Sequence, residues 1–492
     1  MKALHQFITK IEPPKWVLLI LALVVLARIP SFFEPYYYGD EMIYLTLGNA
    51  MRHGLTLYKV VHDNKPPLIY LTAALAGNLF WFKAILSFWM LATISAFWHL
   101  IKNLFPNSKL AQKVSVIFFA ILTTIPLFEG NIVNAELFLI GPIILAFVLL
   151  LTNPSIRNLF LAGLLFGLAA LFKIPAVFDL PVIVIFWLIN LDSFKINKLI
   201  DIAKKTLTLA LGFLLPLTLT FVWYFLKGAL PDYFNAAFLQ NFGYISSWNG
   251  TSQSFVVKHG PLLIRAGVVI VGLILLRLKS KTFSKPFLLA CIWLLTSLFA
   301  TTLSERPYPH YMIQALPSIA ILVALLVSSA KKEQVFTVIP LALALFVPVY
   351  YQFYYYPTFS YYANFVQLAT NHISKGEYFS KFNPETQNNY QIAQVIMTST
   401  IDSEKVFVWG GDAPVIYALS RRLPPIKYVA DYHITDFSSL AETGKALTQT
   451  LPSLIVILPK AQNFPQLNSL LATKYVLIST QSNAQIWHLL MH

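Results

Sequence analysis

Runs of about 17–25 predominantly apolar residues recur from Trp16 to Tyr351, and a helix of that length crosses the ~30 Å hydrocarbon core of a bilayer. Nothing else in the sequence restricts the fold as strongly. Composition agrees: 57% of the 492 residues are hydrophobic and only 12% are charged, against roughly 25% charged in soluble domains. The expectation is an α-helical polytopic membrane protein. Spans fall near 16–33, 83–100, 114–128, 136–151, 159–172, 174–191, 206–227, 261–276, 286–303, 311–329 and 334–351, eleven in all. Leu68–Phe82 is apolar but short, which suits a segment at or dipping into the interface.

Charge orients these spans. With the N-terminus inside, the inner segments carry seventeen Lys and Arg and the outer segments five, as the positive-inside rule expects. The net charge of +15 is therefore loop asymmetry, and no nucleic-acid-binding signature accompanies it. Lys2, Lys10 and Lys15 precede the first apolar run. No small-x-small cleavage site follows, so that run reads as an uncleaved span. Cys291 is the only cysteine, which excludes an intrachain disulfide. The expected location is the cytoplasmic membrane, multi-pass, with the N-terminus cytoplasmic and the C-terminal part extracytoplasmic.

The tail differs in kind. After "VYYQFYYYPTFSYYANF", whose tyrosines suit an interfacial belt, the pattern from 357 turns mixed. "KVFVWGG", "IKYVA", "SLIVILP" and "KYVLIST" read as short buried strands; "APVIYALSRR" and "SSLAETGKALTQTL" read as helices between them. Residues 1–356 are expected to form the transmembrane domain, with a first external loop at 34–67, and 357–492 a small extracytoplasmic α/β domain.

The ionisable residues gather at the external ends of the spans. Asp40 and Glu41 open an amphipathic helix with Ile43, Leu47, Ala50 and Met51 on one face, a pattern for a helix lying on the membrane surface. Asp40 also suits an N-cap and Glu41 a first-turn acid. "VVHDNKPPL" supplies His62, Asp63 and Lys65; "LFEGNIVNAELF" supplies Glu129, Asn131, Asn134 and Glu136; "TTLSERPYPHYMIQALP" supplies Glu305, Arg306, His310 and Tyr311. A carboxylate there can take a proton from a hydroxyl nucleophile. Lys65 and Arg306 can hold a phosphate and stabilise it as it leaves. The combination points to group transfer from a lipid phosphate to an alcohol.

The first span followed by "GDEMIYLTLGNAMRHGLTLYKVVHDNKPPLIYL" resembles the GT-C superfamily of polyprenyl-phosphate-sugar glycosyltransferases, and within it the bacterial protein mannosyltransferase and aminoarabinose transferase group. The resemblance rests on Asp40-Glu41, Tyr44, Gly54 to Tyr58 and Lys65-Pro66-Pro67. Weaker likenesses lie in Gly163–Ala176, Pro309–Pro317 and Val406–Val429. It implies a GT-C fold and an inverting transfer of a sugar from a polyprenyl-phosphate carrier to an acceptor hydroxyl of a glycan, lipid or protein. By that resemblance Asp40 is the catalytic base, or orients the acceptor, and Lys65 contacts the carrier phosphate. Arg306, His310 and Tyr311 belong to the same pocket, and Glu41 and Glu136 bind sugar or acceptor. Asn64 stands where the aminoarabinose transferases have a Glu, which argues against assuming their acceptor or metal contact.

Other features carry less. His62, Asp63 and His310 are metal-ligating types without a tight spacing such as HExxH; no metal site is assigned, and a divalent cation is left open. Arg28 suits snorkelling to head groups or a phosphate contact, Lys173 suits an anchor or a ligand equally, and Asn249-Gly250-Thr251 matches a glycosylation sequon. A transporter or flippase of lipid-linked glycans is the alternative; it predicts two-half symmetry and mid-span charge, and the sequence shows neither.

Overall fold

The computed structural model describes residues 13–245, 255–328 and 331–490. Lys2, Lys10 and the sequon at 249–251 lie outside them. Each of the eleven apolar runs carries a helix. Among the described residues, seven helices are long and apolar enough to cross a membrane: Lys15–Phe33, Leu79–Leu104, Ala135–Thr152, Ile196–Leu226, His259–Leu278, Pro309–Ser328 and Lys332–Tyr350. Ile156–Phe172, Ile174–Ile189 and Lys285–Thr301 are shorter apolar helices. The chain is a multi-pass membrane protein.

The chain forms two compact units, neither continuous in sequence: Met1–Ile29 with Ile85–Thr220 and Phe242–Thr358, and Pro30–Ala84 with Phe221–Asn241 and Phe359–His492. In the first, the helices sort by burial. Ala135–Thr152 and Pro309–Ser328 are 72% buried over their apolar stretch, whereas Ile196–Leu226, His259–Leu278 and Lys332–Tyr350 are 22%, 6% and 17% buried. The former are the interior of the bundle and the latter present their side chains to lipid. Arg28 does not snorkel. It is buried, and its Nη2 donates to the Thr123 carbonyl at 2.8 Å, satisfying the C-terminal end of the helix Lys109–Leu122.

The second unit contains a four-stranded sheet: β1 (Val406–Trp409), β2 (Leu454–Ile457), β3 (Tyr475–Gln481) and β4 (Ala484–Leu489). The order is β1-β2-β4-β3, with β1 parallel to β2 and the other pairs antiparallel. Phe407, Trp409 and Ile455 pack with Leu447, Leu467 and Leu471 of the covering helices. One expected strand is absent. Ile426–Ala430 is irregular and makes only an isolated bridge, His62 with Tyr428, because the Lys427 carbonyl accepts from the His62 N–H. Its place is taken by β4, which closes a hairpin through Ser482 and Asn483, both at positive φ, the two-residue turn that matches strand twist.

Leu68–Phe82 is likewise not one segment. The helix Leu68–Ala76 ends on Gly77 at φ +71, a left-handed cap that glycine adopts without strain. The Asn78 side chain then accepts from the Trp81 N–H and the next helix begins at Leu79. Leu68–Ala76 packs against Gly39–Arg52 so closely that a Cβ on Gly48 would meet the Ala74 nitrogen at 2.6 Å. Gly39–Arg52 is therefore no surface helix. Glu41, Met42, Ile43, Tyr44, Leu45, Thr46, Leu47 and Gly48 are all buried, under Leu68–Ala76 and the tail helix Ala413–Ser420.

Candidate functional site

The N-cap of Gly39–Arg52 is Tyr38, extended at φ −85 and ψ 118. Asp40 is therefore not the cap. Asp40 and Glu41 occupy the first turn, where carboxylates suit the positive helix end. Asp40 keeps 29% of its side chain exposed, and its Oδ2 lies 3.4 Å from Lys65 Nζ. The Tyr44 hydroxyl, one turn on, donates to the same oxygen at 2.9 Å. Lys65 Nζ also lies 3.9 Å from Asp63 Oδ2 and 5.1 Å from the Tyr44 ring centroid.

The backbone of Lys65 is held on both sides. Its carbonyl accepts from Tyr58 Oη at 2.7 Å and its N–H donates to Tyr70 Oη at 3.3 Å. Tyr58 is fully buried at φ +70, a left-handed conformation costing a non-glycine residue about 1–2 kcal/mol. Pro66 and Pro67 then fix the exit of the chain.

The tail completes this region. His433 Nε2 stands 3.6 Å from Asp63 Oδ1, and His62 packs edge-on to Tyr428 and Phe437. Burial pushes the His62 imidazole down to about 4 and lowers His433 too, so both are neutral at pH 7. Burial alone would raise Asp63, but the Lys65 ammonium, joined by His433 once it is protonated at low pH, outweighs it and holds its carboxyl below the usual range.

Glu41 goes elsewhere. It is fully buried, and its Oε1 lies 2.6 Å from Lys83 Nζ, which also meets Glu34 Oε2 at 2.8 Å. Tyr361 donates to Glu34 Oε1 at 2.6 Å. Lys83 and the two carboxylates are 0–1% exposed at their side chains.

The first unit holds a second ionic cluster. Glu129 contacts His310 Nδ1 and accepts from Asn134 Nδ2 at 3.1 Å. His310 Nε2 lies 3.9 Å from Glu136 Oε1, and Glu136 contacts Lys173. The Lys173 ammonium sits 4.0 Å over the Tyr311 ring. Glu136, His310 and Tyr311 are thus brought together, with Lys173 a partner to Glu136 and Tyr311. Arg306 is half-buried, next to Glu305, whose Oε1 takes Arg265 Nη1 at 2.9 Å. Glu129 and Glu305 stand at φ +57 and +60; like Tyr58 they hold left-handed backbone beside charge, a form of strain that collects at functional sites.

Sequence reasoning missed Glu34, Lys83, Arg265 and His433. Lys83 and Arg265 carry charge inside apolar runs, and that was the available signal. Arg265 donates to Tyr351 Oη at 2.5 Å, while its Nε and Nη2 are buried without a hydrogen-bond partner. His433 carries no such mark, since its partner lies 370 residues away. Among the described residues, no group of three or more His, Cys, Asp or Glu is arranged to hold a metal.

The many-span helical bundle with a small C-terminal sheet is a fold that solved structures share. The particular likeness is to ArnT from Cupriavidus metallidurans. Its crystal structure bound to undecaprenyl phosphate superposes at TM-score 0.60 with 15% identity, covering 96% of this chain and 98% of that one. The apo crystal structure gives TM-score 0.58 and 16% identity over 96% and 97%. No family model matches the chain, and no curated protein matches it in sequence.

Proposed function

We propose that this chain is an inverting glycosyltransferase that moves a sugar from a polyprenyl-phosphate carrier to an acceptor hydroxyl at the extracytoplasmic face of the membrane. The observation that carries the reading is the half-exposed Asp40 carboxylate beside the Lys65 ammonium, on a fold shared with a protein crystallised on undecaprenyl phosphate. The acceptor oxygen attacks the anomeric carbon and its proton passes to Asp40. The bond from that carbon to the phosphate oxygen breaks, and the polyprenyl phosphate leaves with its new charge held by Lys65. Tyr44 fixes the carboxylate that Asp40 offers.

In this proposal Glu136, His310 and Tyr311 bind sugar or acceptor, Arg306 and Arg265 are anion-binding groups, and Glu41 leaves the substrate set for a positioning role. The test uses membranes from cells expressing the wild type, Asp40→Asn or Lys65→Ala at matched levels, supplied with radiolabelled polyprenyl-phosphate sugars. Label is expected to reach an acceptor with the wild type, to be lost with Asp40→Asn, and to fall steeply with Lys65→Ala. Undiminished transfer by Asp40→Asn removes the base assignment. Absence of transfer from every donor offered to the wild type counts against the enzyme reading.

A further inference from the structure

The first unit carries a groove of about 480 Å³ at the end where the helices Ile196–Leu226 and Lys285–Thr301 begin. Phe186 and Trp187 form part of its apolar wall, and Lys198, Lys205 and Lys285 line it as well. Two of these lysines sit in the first turn of a helix, where the exposed N–H groups already carry partial positive charge. A lysine there has the wrong sign for the helix, so the groove concentrates positive potential from two helix ends and three ammoniums.

The local carboxylates balance it only in part: Asp201 also lines the groove, and Glu333 accepts from the Ser284 N–H where Lys285–Thr301 begins. Asp201 meets Lys205 at 2.7 Å and Asp192 meets Lys198 at 3.8 Å, but both acids are well exposed and such pairs are weak. The two segments that supply the groove, 192–205 and 277–285, hold eight Lys and Arg against those two acids. Around them Phe194, Ile196 and Ile200 are exposed, an apolar collar beside cationic groups that suits the head-group level of a membrane.

We propose that this groove binds an anionic phospholipid, its phosphate on the lysines and an acyl chain along Phe186 and Trp187. Charge complementarity selects the anion. The apolar wall selects a lipid over free phosphate, which gains nothing from aromatic rings. Basic pockets between transmembrane helices hold anionic head groups in this way. The groove shares no lining residue with the carboxylate clusters, and its occupancy does not depend on the transfer reaction.

The full-length protein in detergent is titrated with phosphatidylglycerol, with phosphatidylcholine of the same chains, and with inorganic phosphate. Bound lipid is counted by native mass spectrometry and the unfolding midpoint is followed. Phosphatidylglycerol is expected to bind in preference and raise the midpoint. Lys285→Ala, Lys198→Ala and Lys205→Ala are each expected to weaken it about fivefold, and the corresponding Lys→Arg variants to retain it. Trp187→Ala is expected to weaken both lipids while keeping the head-group preference. Equal binding of the two lipids, a triple alanine variant with intact preference, or phosphate as protective as the lipid would each overturn the proposal. The arginine variants keep the test valid if an alanine variant fails to fold.

Discussion

Asp40 and Glu41 are neighbours in sequence and opposites in the fold. Both lie in the first turn of Gly39–Arg52, about 100° apart around the helix. Asp40 is turned to a half-exposed position beside Lys65 and Tyr44. Glu41 is turned inward to Lys83, with Glu34 on the other side of the same ammonium. Each carboxylate has a lysine and each cluster has a tyrosine hydroxyl on an acid, so the chemistry is nearly duplicated. Exposure separates them. A substrate hydroxyl can reach a carboxylate that water reaches, whereas a carboxylate sealed with its partner fixes backbone. An acidic pair in a sequence is thus one catalytic candidate and one anchor, and rotation about the helix assigns the roles.

The sharpest way to break this contrast is to neutralise each acid alone. Asp40→Asn is expected to lower sugar transfer about 10²–10⁴-fold, the usual range for a positioned general base, and to leave the unfolding midpoint nearly unchanged. If Asp40→Asn unfolds the protein while Glu41→Gln silences transfer without loss of stability, the roles are reversed.

Lys83 gives the next largest effect, on stability rather than turnover. Lys83→Met leaves two buried carboxylates without their shared cation and is expected to cost about 3–5 kcal/mol in a denaturant titration. The triple variant Glu34→Gln, Lys83→Met, Glu41→Gln removes the buried charges together and is expected to recover most of that loss. No recovery would mean the three side chains act through shape.

The docking of the tail on the Asp40 side predicts a pH signature. His62 has its folded value near 4, below the unfolded value near 6.5, so the unfolded chain binds more protons between those limits. Stability is full above about pH 6.5 and falls as pH drops toward 4, by about 3 kcal/mol for this group. His433 acts in the same direction, and Asp63, held low, adds its loss only at still lower pH. His62→Gln is expected to flatten the slope between pH 6.5 and 4. An unchanged slope would place the acid sensitivity in other groups.

What the sequence reveals follows from the range of the interactions. Apolar run length is local, and each of the eleven runs became a helix. β1, β2 and β3 are short β-branched runs whose neighbours could be anything, and they were readable too. Ile426–Ala430 has the same look, yet its polar backbone is claimed by His62, a partner more than 360 residues away that no window contains. Lys65 was legible because Pro66 and Pro67 follow it within a motif. The pairing of Lys83 with both Glu34 and Glu41 joins residues up to 49 apart across a break at Gly77, and the amphipathic stripe on Gly39–Arg52 gave no hint that Glu41 and Thr46 on its polar face would also be covered.

The two tyrosines offer the finest cut. Tyr44 donates to Asp40 at 2.9 Å and Tyr361 to Glu34 at 2.6 Å, so Tyr→Phe removes one hydroxyl-to-carboxylate bond in each cluster and little volume. A hydrogen bond to a charged group is worth about 1.5–3 kcal/mol when buried. Glu34 is sealed, so Tyr361→Phe is expected to lose stability within that range and to leave transfer close to the wild type. Asp40 is open to water, which replaces the lost donor, so Tyr44→Phe is expected to cost under about 1 kcal/mol of stability. Its effect falls on turnover. Without Tyr44 the carboxylate rotates more freely, and transfer is expected to drop about tenfold in kcat with little change in KM, because the bond aligns the base and does not bind the donor. A rise in KM at constant kcat would make Tyr44 a substrate contact. Equal stability losses in the two variants would show that water does not reach Asp40, and with that the exposure that distinguishes it from Glu41 would lose its force.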